Sequence, residues 1–194
     1  MGKAMVAGAC AVLVAAVSCS DGPMGAGEAS GGAEVAFDRS SSQGKESGKA
    51  RFEFDQLRGN VRPFIGSANA IRGLSAGGLP WVLKKGEARY HDGELRVKVR
   101  GLVFDPEDPD AIARGVGGTN PVAAFQAVLS CLTVDASGAV VTVNVATQPA
   151  PATTGLGGGD ADIREKLQGV PDPCIAPIVF VTSAGGSWFA ATGF

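Results

Sequence analysis

The chain has 194 residues, with 17 Lys and Arg against 19 Asp and Glu and a formal net charge of −2. That is room for one ordinary domain and an extra segment, without the basic excess that a nucleic-acid-binding domain carries. Glycine is abundant at 29 residues and histidine occurs once, so any histidine-dependent chemistry has a single candidate.

Lys3 precedes an unbroken apolar run from Ala4 to Val17. The run is too short for a bilayer core of about 30 Å, which needs about 20 helical residues, and it has the length of a secretory h-region. Ala16-Val17-Ser18 before Cys19 resembles a bacterial lipobox, whose usual form is Leu, a small residue, Gly or Ala, then Cys. Ala16 departs from it where Leu is commoner, and the same residues also fit a plain Ala-x-Ala-like cleavage site. The expectation is a lipoprotein signal peptide over 1–18, with diacylglycerol on Cys19 holding the protein to a membrane at the cell envelope. Simple secretion is the alternative. Cys10 follows too little of the h-region to serve instead.

Residues 19–50 are rich in Gly, Ser and Ala, with scattered charges and no apolar period. Such a stretch buries too little surface to offset ordering entropy, which predicts a flexible tether with an r.m.s. span of about 30 Å.

From 51 to 194 the period is two, the mark of half-buried strands. In RFEFDQL, Phe52 and Phe54 alternate with Glu53 and Asp55. In ELRVKVRGLVF, Leu95, Val97 and Val99 share one face, and Arg96, Lys98 and Arg100 the other. His91-Asp92-Gly93 before that run reads as a hairpin turn. FQAVLSCLTV and AVVTVNVAT flank the turn Asp135-Ala136-Ser137-Gly138 and read as more fully buried strands. Residues 159–168 fit a strand on Ala161, Ile163 and Leu167, with a short helix as the alternative. CIAPIVFVTS contains Pro177, which marks an edge or a bulge. WFAATGF closes the chain, with Trp188 and Phe189 pointing to opposite sides. The prediction is an all-β fold, an antiparallel β-sandwich over 51–194, with a partly open barrel as the alternative.

With Cys10 leaving in the signal peptide and Cys19 taken by lipid, Cys131 and Cys174 remain. An even remainder in an exported protein predicts a disulfide, and two separate buried thiols are the alternative.

The blocks IRGLSAGGLPWVL, GTNPVAAFQAVLSCLTV and DPCIAPIVFVTSAGGSWFAATGF resemble a family of exported bacterial and fungal proteins without an assigned activity. The resemblance covers most of residues 68 to 194 and implies a small secreted domain with paired cysteines. It transfers no catalytic residue.

No catalytic set assembles in the sequence. His91 lies in a turn beside Asp92, and there is no HExxH and no G-x-S-x-G. DPEDPD offers Asp105, Glu107, Asp108 and Asp110 as oxygen ligands for a cation, against the plainer reading of a solvated acidic loop. Asp160 and Asp162 form a second such pair. The glycine-rich GVGGTNP and GLGGGD lack the Lys-Ser/Thr of a phosphate loop. Lys84, Lys85, Arg89, Arg96, Lys98 and Arg100 gather positive charge that could meet anionic headgroups, against the plainer reading of a charged outer sheet face. Trp81 and Trp188 are ligand-binding candidates if exposed as a sugar-stacking platform, and core residues otherwise.

The sequence thus predicts a cell-envelope lipoprotein or secreted protein with one binding or structural β-domain, without cofactor and without nucleic-acid partner. The alternatives are a carbohydrate-binding module, or a hydrolase whose carboxylates, such as Asp105 or Asp108 with Asp160, converge only in the fold.

Overall fold

The computed structural model describes residues 51–193. The signal segment 1–18, Cys19 and the linker 19–50 lie outside the described residues. In chain order the elements are β1 (Phe52–Phe54), β2 (Arg58–Gly59), β3 (Trp81–Val82), β4 (Lys85–His91), β5 (Glu94–Arg100), β6 (Val103–Phe104), the short helix α1 (Pro109–Ala113), β7 (Thr119–Asn120), β8 (Ala124–Val134), β9 (Val140–Ala146), β10 (Ala150–Pro151), β11 (Gly155–Leu156), β12 (Ala161–Lys166), β13 (Ile175–Ser183) and β14 (Trp188–Ala191). The fold is all-β, built of antiparallel sheets, and none closes into a barrel.

The alternating residues of the first half, joined by those of 161–166, build a four-stranded sheet in the order β1-β4-β5-β12. Its centre is the β4–β5 hairpin, closed by Asp92 and Gly93 at φ 53° and 81°. Two successive positive φ values make the tight turn whose twist suits paired strands, and Asp-Gly adopts it readily. Residues 161–166 are a strand, with Ile163 opposite Val97 and Ala161 opposite Val99, so the helical alternative falls. Ala88, Leu95, Val97, Val99 and Ile163 face inward and are buried. Each large one contributes roughly 1.5–3 kcal/mol by leaving water.

The second sheet runs β10-β8-β13-β14-β2, with β9 paired to β8 beyond β10. Phe125, Ala127, Leu129, Val179, Val181 and Phe189 meet the inward face of the first sheet in one shared core. The other face of this sheet is also covered. Trp188, Phe180 and Val128 form a second cluster with Ala76, against which Ile71 and Leu74 pack. Trp188 and Phe189 therefore do point oppositely, and both sides are dry. Only β9 departs from the expected burial: its residues alternate between exposed and half-buried, and Val140 is 70% exposed. It is the outer partner of β8, so its β-branched residues have a neighbour on one side only.

Cys131 on β8 and Cys174 just before β13 are joined by a disulfide across 43 residues of sequence. Between the pairs Ile175–Leu132 and Ile178–Ser130, β13 spends one residue more than β8, which is a bulge. Pro177 sits in it, where no ladder hydrogen bond is asked of its nitrogen.

Candidate functional site

The acidic loop is built as a helix start. Asp108 is the N-cap of α1, and its Oδ1 accepts from the Asp110 and Ala111 N–H groups at 3.1 and 3.2 Å. Asp-Pro at the N-cap and first helical position is a helix-start signal legible in DPEDPD. Arg62 forks onto this cap, with Nη2 3.1 Å from Asp108 Oδ2 and 2.6 Å from Asp110 Oδ2. Burial pushes the Asp108 carboxyl up, but the Ala111 N–H and the Arg62 guanidinium outweigh it and hold the carboxyl below its ordinary value. Asp105 Oδ1 accepts from the Glu107 N–H at 2.9 Å. The second acidic pair is spent likewise: Asp160 accepts from the Gly101 N–H at 2.7 Å, and Asp162 takes Arg100 at 3.0 Å. Asp105, Asp108, Asp110, Asp160 and Asp162 thus each hold a structural hydrogen bond or ion pair, and Glu107 enters the loop's bonding through its backbone N–H. Among the described residues, no three His, Cys, Asp or Glu side chains gather as a metal ion requires.

The tryptophans are core residues, the plainer of the two readings of the sequence, and the exposure that a stacking platform needs is not met. Trp81 is 1% exposed and Trp188 is 0% exposed. Trp81 stacks on Phe189 with ring centroids 4.2 Å apart and packs against Phe104 at 4.5 Å. Trp188 meets Phe180 edge-on. Neither indole face is open to a sugar. His91 sits at the hairpin end with Nδ1 3.2 Å from Asp92 Oδ2, both side chains more than half exposed.

What the sequence does not announce is a groove where the two sheets part. β1 pairs with β4, and Leu57 N–H still donates to Gly86 O at 3.1 Å. The chain then leaves the first sheet so that β2 can pair with β14. The opposite strand leaves as well, since β3 pairs with β6. The two segments meet again at Asn60, whose carbonyl accepts from the Trp81 N–H at 3.0 Å. Between these contacts lies a groove of about 660 Å³, within the usual range for small-molecule sites. Phe64, Val61 and Leu83 supply apolar wall, and Val61 is 55% exposed. Arg58, Lys84 and Lys85 line it with positive charge, against the single carboxylate of Asp55.

The outer face of the first sheet is the second distinctive surface. Arg89, Arg96 and Arg164 stand directly opposite one another on β4, β5 and β12, with Glu53 continuing the row on β1. Neighbouring rows pair Lys85 with Arg100 and set Lys98 between Glu87 and Asp162. Glu94 is shared by Arg96 and by Arg164, the latter at 3.0 Å, and Glu53 by Arg51 at 2.9 Å. Hydrogen bonds from Arg96 and Arg164 hold the Glu94 carboxyl low, and Arg51 does the same for Glu53.

No family model, curated protein or solved structure matches this chain.

Proposed function

We propose that this protein is an exported, non-catalytic binding module, held at the cell envelope by lipid on Cys19, whose ligand site is the groove between residues 55–61 and 81–86. The ligand class is a small anionic amphiphile. Its apolar part lies against Val61, Phe64 and Leu83, and its anionic group meets Arg58, Lys84 or Lys85. The export half of the reading rests on the h-region, on Cys19 and on a disulfide-linked domain, which suits an oxidising compartment.

The single observation behind the binding half is a ligand-sized groove that leaves Val61 and Phe64 exposed beside three cations. An apolar wall with a few convergent polar groups is the usual make-up of a small-molecule site. The hydrolase alternative has less support, because Asp105, Asp108 and Asp160 each serve a different local hydrogen bond.

Calorimetric titration of the full chain with decyl phosphate below its micellar concentration tests the reading. The expectation is saturable one-to-one binding, weakened at least tenfold in Phe64→Asp and several-fold in Lys84→Ala. Absence of saturable heat, or equal heat in Phe64→Asp, contradicts it.

A further inference from the structure

Cations directly opposite one another on adjacent strands repel, and a sheet usually alternates their sign. The first sheet breaks that rule along Arg89, Arg96 and Arg164. Arg96 and Arg164 share the one carboxylate of Glu94, and Arg51 pairs with Glu53, which Arg89 acts on only through its charge. Where pairing offsets such a row only in part, function is a usual reason.

The imbalance extends across the whole face. The outward side chains of its strands include seven basic and four acidic residues, whereas the rest of residues 51–194 carries six basic and ten acidic. The domain is nearly neutral in sum and strongly polar in distribution. The cations lie on β4, β5 and β12 in several rows, with Arg51 just before β1, a plate of roughly 14 by 20 Å from ordinary strand spacing. A two-dimensional array matches a surface better than it matches a single threaded chain. The large exposed apolar residues, such as Phe64, Val134, Val140 and Leu156, all lie off this face, so it has nothing to insert.

We infer that the outer face of the β1-β4-β5-β12 sheet docks on a bilayer containing anionic phospholipid, through its cation array and without penetration. The docking leaves the net acidic remainder of the domain off the bilayer. Apart from Lys85, which also borders the groove, it uses none of the groove's residues, and it does not require the lipid on Cys19. Attraction of this kind is worth about fivefold in partitioning per basic residue near the surface, and it fades as salt shortens the screening length.

Vesicle co-sedimentation of the full chain at low salt tests this, comparing phosphatidylcholine with a phosphatidylcholine–phosphatidylglycerol mixture. The contribution of residues 1–50 is read from the zwitterionic vesicles. The expectation is at least tenfold stronger partitioning onto the anionic mixture, abolished by high salt. Arg164→Glu and Arg89→Glu each lower it about tenfold or more, whereas Arg114→Glu, the same change in net charge off the face, does not. If the N-terminal run alone holds the chain on both vesicles, acetylation by acetic anhydride reads the face instead. Lys98 and Lys166 are then protected on the anionic vesicles only. Equal behaviour on the two vesicles by both readouts overturns the proposal, as does an equal loss in Arg114→Glu and Arg164→Glu. Salt-sensitive capture of the chain by soluble polyphosphate with no preference for anionic vesicles also overturns it, and assigns the face to a polymer.

Discussion

The backbone N–H of Trp81 is bracketed by Asn60, which accepts it both through its carbonyl at 3.0 Å and through Oδ1 at 2.8 Å. Asn60 is 1% exposed, and its own N–H donates to Phe189 O at 2.8 Å. One buried amide thus ties β2, β3 and β14 together at the end of the groove. Its side-chain oxygen is the replaceable part of the clamp. Asn60→Ala is expected to cost about 1–3 kcal/mol, read as a lower midpoint in urea with an unchanged slope. An unchanged midpoint contradicts the clamp.

Gly59 gives the sharper steric test. A Cβ there lies 1.8 Å from the Trp81 carbonyl oxygen, a backbone atom that cannot turn away. Gly59→Ala must push β2 and β3 apart, and the expected result is a loss of several kcal/mol or failure to fold. Gly78→Ala is the matched control, because a Cβ at Gly78 meets nothing within 4 Å. Thermal melts of the two variants should differ by many degrees.

Much of this architecture is legible in the sequence, and the exceptions have physical causes. The β4–β5 hairpin is readable because Asp92 and Gly93 supply two positive φ values between alternating runs. Pro177 marks its bulge for the reason that any proline in a ladder must. The α1 start is equally legible in Asp108-Pro109, an N-cap aspartate followed by proline. The burial of β9 was not legible, since VVTVNVA looks the same in a central strand and in an outer one. The groove was not legible either. It exists because residues 55–61 and 81–86 each leave one sheet for a different partner, which is a relation between distant segments. The fate of Trp188 depended on residues 71–76 covering the back of the second sheet.

The disulfide closes a loop of 43 residues, for which chain entropy gives ~4 kcal/mol of stabilisation. The double variant Cys131→Ala/Cys174→Ala is expected to lose roughly that amount in a denaturant melt. Reduction of the wild-type chain should reproduce the loss. A change under about 1 kcal/mol contradicts the entropic account.

The cap at Asp108 sets a pH dependence. Its folded carboxyl is held below the ordinary value of 3.8, despite burial, by the Ala111 N–H and Arg62. A group depressed on folding contributes stability that is present above its unfolded pKa and lost as pH falls through the folded one. Asp135 is depressed in the same direction, first by the Ser137 hydroxyl and then by backbone N–H groups. Stability should therefore fall on acidification from about pH 4 downward. Asp108→Asn keeps a capping oxygen but no longer ionises, so its stability curve should be shallower there and lower at neutral pH. Parallel curves for variant and wild type contradict this.

The central claim, that the parting of the two sheets makes a ligand site, is tested most directly by an amide chemical-shift titration of the full chain with decyl phosphate. The account predicts saturable shifts concentrated at residues 57–61 and 82–86, with the distant turn at Asp135–Gly138 unmoved. Shifts spread evenly over the domain, or none at the groove walls at saturating ligand, would contradict it.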